Sequence, residues 1–194
     1  MKLSEIAATT PDNHASIVAH NILKNCQPFI KEWGGIPTPG HSIYRGSPYS
    51  KWPQFLCGTN ANRESIGMGK WTQQKIDNFF QTKYGHRFRS EHVVFGTGNK
   101  NHAAEFGSVF VIFPVGEFSY LWSPDIDDMN YALHNYGGDV DELFKNVNFY
   151  HNKKINQIKT HEVMINVKDF YMIPLDVYTK TIYPLLTGTT YEIK

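Results

Sequence analysis

HVVFGTGNKNHAAEFGSVFVIF, residues 92–113, is the stretch whose reading decides the fold. It begins with His92-Val93-Val94-Phe95, breaks at the small-residue turn Gly96-Thr97-Gly98, and ends in Val109-Phe110-Val111-Ile112-Phe113. Runs of β-branched and aromatic residues favour strands. The second run is apolar throughout, which suits a central strand covered on both faces. Between the two, residues 99–106 have the composition of a short helix. Strand, turn, helix and strand at this spacing are compatible with a mixed α+β fold.

Working outward towards the C-terminus, residues 118–122 read as a third strand. Ser123-Pro124-Asp125 is expected to start a helix through Ile126, Met129 and Leu133, and residues 139–144 suit another short one. A polar stretch, 150–160, then leads into the apolar runs 162–165 and 170–173. Towards the N-terminus, residues 72–84 carry Ile76, Phe79 and Phe80 on one helical face, and Gly85 would end that helix. Residues 47–70 hold three Gly and two Pro with no clean period and read as a long loop. A short strand is expected over 42–44, ending at Arg45-Gly46. Before it, apolar residues from Ile17 to Ile30 recur at helical spacing; Thr10 caps that helix, Pro11 suits its first turn, and Gly34-Gly35 stops it.

The 194 residues match one domain, spanning 1–194 with a helical part over 1–35. With 41% hydrophobic and 19% charged residues, the chain can build a packed core without disulfides or a metal. A formal charge of +1 offers no general attraction to nucleic acid or anionic membranes. The N-terminal residues lack the apolar core of a secretory signal, and no apolar run is long enough to span a bilayer, so a cytoplasmic location is expected. Cys26 falls on the apolar side of the first helix, where a buried free thiol is the expectation. None of the nine His forms a recognised metal spacing, and no metal is expected. His14-Ala15-Ser16 alone does not make a two-histidine phosphodiesterase. Gly67-Met68-Gly69-Lys70 falls short of a phosphate loop.

Three segments remain, in a fixed order. Ile43-Tyr44-Arg45-Gly46 places an arginine at a strand end. Val93-Val94-Phe95-Gly96-Thr97-Gly98 is followed by the helix-like Asn101 to Gly107. Thr160-His161-Glu162-Val163-Met164-Ile165 sets a glutamate at the head of an apolar strand. Together these resemble the Arg–Ser/Thr–Glu class of ADP-ribosyltransferases, found among bacterial toxins and among enzymes that tailed bacteriophages use on host proteins.

The resemblance covers residues 40–174, the catalytic core. It implies two small sheets across a cleft that holds NAD+, and transfer of ADP-ribose to a host macromolecule, a protein, with release of nicotinamide. Arg45 would pair with the NAD+ pyrophosphate, since a planar guanidinium matches phosphate oxygens in a forked geometry. Glu162 would stabilise the ribose cation as nicotinamide leaves. Thr97 would brace the pocket or touch the ribose, with Gly46, Gly96 and Gly98 letting the backbone come close. Tyr44, Phe95 and Phe106 are the candidates to stack nicotinamide. Thr160 and His161 precede the glutamate, where related enzymes recognise their targets. Thr160 stands where many arginine-directed members have an acidic residue, and Gly96 where the family often has serine. Two other readings stay open: a non-catalytic binding or inhibitor protein on the same fold, and an NAD+ glycohydrolase.

Overall fold

A computed structural model describes residues 11–48, 55–64 and 67–188. The expected cap Thr10 and the loop residue Pro53 lie outside them. The fold is mixed α+β, with every strand pairing antiparallel. Among the described residues, eight strands lie in the order β2-β8-β4-β1-β3-β7-β5-β6. They are β1 (Tyr44–Ser47), β2 (Leu56–Gly58), β3 (Val93–Thr97), β4 (Ser108–Pro114), β5 (Ser119–Trp122), β6 (Tyr150–His151), β7 (Glu162–Asn166) and β8 (Asp169–Pro174).

The pairing is uneven. β1 matches β4 over four residue pairs, and β3 matches β7 over five, but β1 meets β3 only at Tyr44↔Thr97. The two small sheets expected from the sequence are therefore two four-stranded halves of one hydrogen-bonded sheet, joined at a single pair.

Two apolar cores cover the sheet, and period-two alternation assigns residues to each. Val94, Val163, Ile165, Tyr120 and Trp122 face the first core. It also takes Val18, Ile22 and Phe29 from α1 (Pro11–Asn25) and α2 (Gln27–Trp33), and Tyr178 and Ile182 from a C-terminal helical segment. The intervening Val93, Leu121 and Met164 face the second core. There they meet Ile76 and Phe80 of α3 (Lys70–Tyr84), Met129 and Leu133 of α5 (Met129–Asn135), and Leu143 of α6 (Val140–Asn146). In β4, residues 110–113 are all buried, as a central strand requires.

Several boundaries differ from the sequence reading. The first helix is two helices, because Pro28 sits in the first turn of α2 and the chain bends at Cys26. The first strand runs through Arg45 and Gly46 rather than ending there, because β4 pairs with both. Residues 123–128 are a turn, held by Asp125 N–H donating to Ser123 Oγ, and Asp128 rather than Ser123 caps α5. The long loop contains β2, and Gly69 precedes α3 at its N-cap position with Met68 buried beside it. Cys26 and Cys57 are both free thiols. No helix among the described residues is long and apolar enough to cross a membrane.

The seam between the halves demands glycine. A Cβ at Gly96 would lie 2.4 Å from Ile43 Cγ2 and 3.1 Å from the Tyr44 carbonyl oxygen, and one at Gly46 would lie 1.9 Å from the Ala103 carbonyl oxygen. Gly96→Ser should therefore destabilise the protein by about 1–3 kcal/mol through overpacking. Thermal unfolding checks this, with a melting temperature about 2–4 °C lower per kcal/mol. An unchanged midpoint would contradict the close packing of the seam.

Candidate functional site

Where β1 and β3 part, a cavity of about 360 Å³ opens. β1 contributes Tyr44, Arg45 and Gly46, and β3 contributes Phe95, Gly96 and Thr97. His102 and Ala103 come from α4 (Lys100–Ala104), Phe106 from the turn after it, and Glu162 from the first position of β7. Irregular segments add Pro48, Arg63, Arg89 and Asp128, and α5 adds Asn130. The volume lies at the lower end of small-molecule sites.

Arg45 and Glu162, 117 positions apart in the sequence numbering, thus share one cavity. Arg45 bridges the seam: its Nη1 donates to the Phe95 carbonyl oxygen at 2.9 Å. Burial lowers its pKa, yet a guanidinium starts so high that the charge persists at any ordinary pH. Glu162 Oε1 accepts from Arg89 Nη1 at 2.6 Å, and Glu162 Oε2 accepts no hydrogen bond from the described residues. The Glu162 side chain is 16% exposed, that of Arg89 only 3%. Burial pushes the Glu162 carboxyl above its ordinary value, and the Asp128 charge adds to this. Arg89 and, more weakly, Arg63 oppose the shift.

Thr97 braces rather than faces a ligand. It is 6% exposed; its Oγ1 donates to the Thr160 carbonyl oxygen at 2.9 Å and accepts from the Asn99 amide at 3.1 Å. Gly98 holds the same region together, since a Cβ there would lie 2.3 Å from the Ile158 carbonyl oxygen. Of the three candidate stacking rings, Tyr44 is only 1% exposed, with its hydroxyl bonded to Pro39. Phe95 is covered by two guanidiniums, Arg63 at 4.3 Å and Arg89 at 4.7 Å from the ring centroid. Both rings line the cavity. Phe106, 58% exposed on the cavity wall, is the most exposed of the three rings.

Thr160 and His161 lie outside the cavity, against Asp127. Thr160 Oγ1 donates to Asp127 Oδ1 at 2.6 Å, and His161 Nδ1 approaches the same oxygen at 3.0 Å while its ring stacks on Trp122. Among the described residues no group of three or more His, Cys, Asp or Glu is placed to hold a metal.

Sequence reasoning missed Arg63, Arg89, Asp128 and Asn130. Arg63, Arg89 and Asp128 sit in irregular segments, where no periodicity marks a side chain as inward-facing, and Asn130 is in the first turn of α5. No family model, curated protein or solved structure matches this chain.

Among the described residues, three guanidiniums and two carboxylates line the cavity, an excess of positive charge. Inorganic pyrophosphate should therefore raise the melting temperature in a concentration-dependent way, by mass action on the folded state. Arg45→Ala should remove most of the rise. An equal rise in that variant would contradict the assignment of Arg45 as an anion anchor.

Proposed function

We propose that the protein cleaves NAD+ and transfers ADP-ribose to a host macromolecule, a protein, in the cytoplasm of the cell where it acts. The observation that carries this reading is the meeting of Arg45 and Glu162 on the walls of one cavity. The pyrophosphate would pair with Arg45, with Arg63 beside it, and nicotinamide would meet Phe106. The C1′–N bond breaks with its electron pair leaving on nicotinamide, which departs neutral. The ribose is left with oxocarbenium character, which Glu162 stabilises from the side of the 2′-hydroxyl. The acceptor nucleophile then bonds to C1′ and gives up its proton to water.

A second reading is binding without turnover, favoured by one contact: Arg89 already neutralises part of the Glu162 charge. Nicotinamide release separates the two. Purified protein incubated with labelled NAD+ and a bacterial lysate should release nicotinamide and label a polymer. Release without a labelled polymer would mean water is the acceptor, and no release would favour the binding reading.

Glu162→Gln should cut release by about 10²–10³-fold with NAD+ affinity nearly intact, because the contact is made mostly in the transition state. Wild-type turnover in this variant would remove Glu162 from the mechanism. The working form of Glu162 is ionised and its carboxyl titrates above the ordinary range. The rate should therefore rise with pH through that elevated midpoint and fall as pH drops below it. A rate flat down to the ordinary carboxylate range would contradict this.

A further inference from the structure

We propose that Arg89 is the positioning residue of this site, holding Glu162 by one carboxylate oxygen so that the other is presented to the ligand. The inference rests on the reading of Glu162 as the group that faces the ribose.

Arg89 is clamped from three elements. Its backbone N–H donates to Oδ1 of the buried Asp77 on α3 at 2.7 Å. Its guanidinium lies 4.7 Å from the ring centroid of Phe95 on β3. On β7 its Nη1 meets Glu162 Oε1 at 2.6 Å and Met164 Sδ at 3.8 Å. A guanidinium 3% exposed and already committed to a carboxylate is poorly placed to greet a phosphate. Arg45 and Arg63 make no carboxylate ion pair among the described residues and suit that task better.

Among the described residues, the charged and titratable groups around Glu162 are few. Arg89 and Arg63 favour its ionised form and Asp128 opposes it. Arg45 on β1 and His102 on α4 line the same cavity. His161 precedes it in the chain, beside Asp127, whose carbonyl accepts the Glu162 N–H. Of these, only Arg89 touches the carboxylate, so only Arg89 can both aim it and keep it charged.

The test follows the carboxyl itself. In the full chain with 13C-labelled glutamate carboxyls, the Glu162 signal is assigned by its loss in Glu162→Gln and titrated by NMR. In Arg89→Gln the midpoint should move up by about one to three pH units. In Arg89→Lys it should stay near wild type, because the charge is kept. Nicotinamide release in Arg89→Gln should fall by on the order of a hundredfold in kcat with little change in KM, and Arg89→Lys should recover only part, since an ammonium lacks the planar fork. An unmoved midpoint in Arg89→Gln, or a loss confined to KM, would overturn the proposal. If Arg89→Gln does not fold, a midpoint in Arg89→Lys shifted up by a full unit would overturn it equally. Absence of nicotinamide release from every form would sink the transferase reading, while the titration would still decide what Arg89 does.

Discussion

The single residue pair Tyr44↔Thr97 is the constraint on which the site depends. Had β1 and β3 paired along their length, the sheet would be continuous and the cavity closed. Instead the halves hold together at one point and diverge. Gly96 lets Ile43 close over the junction on one side, and Gly46 lets α4 pack down on the other. Beyond the pair, Arg45 reaches across to the Phe95 carbonyl, so a charged side chain takes over the bridging that backbone pairing leaves undone. A guanidinium fixed by its own strand and by the opposite one is already oriented before any ligand arrives.

Charge is the second theme, and it is costly. Ions taken out of water lose several kcal/mol each unless partners restore what hydration supplied. Here Arg89 and Glu162 share one charge-assisted hydrogen bond, and the Phe95 ring offers its negative face to both Arg63 and Arg89. Arg45 and Arg63 are left without carboxylate partners among the described residues, on the wall that also carries the exposed ring of Phe106. An anion attached to a flat ring system answers both features at once. In the proposed reaction, the same low-polarity surroundings that raise the Glu162 carboxyl would strengthen its pull on a nearby cation.

Much of this was legible in the sequence, for identifiable reasons. The β-branched runs at 93–95 and 109–113 are strands because period-two packing on two cores selects such residues. Arg45 and Glu162 stood out only through the order of the three short motifs that resemble the Arg–Ser/Thr–Glu class, since neither residue is distinctive alone. Gly96, which looked like a departure from the serine of the resembling family, is explained by packing: the seam has no room for a side chain there. Arg63 and Arg89 were not legible, since each lies in an irregular loop and is brought to the cavity only by tertiary contacts. The break between α1 and α2 was missed because apolar spacing continued through Pro28 and outweighed its signal.

The most direct measurement of the central claim is a crystal structure of the full chain soaked with ADP-ribose. The account predicts the diphosphate within hydrogen-bond distance of Arg45 and the terminal ribose beside Glu162 Oε2. Ligand bound away from the seam, or bound there with Arg45 and Glu162 both untouched, would contradict it.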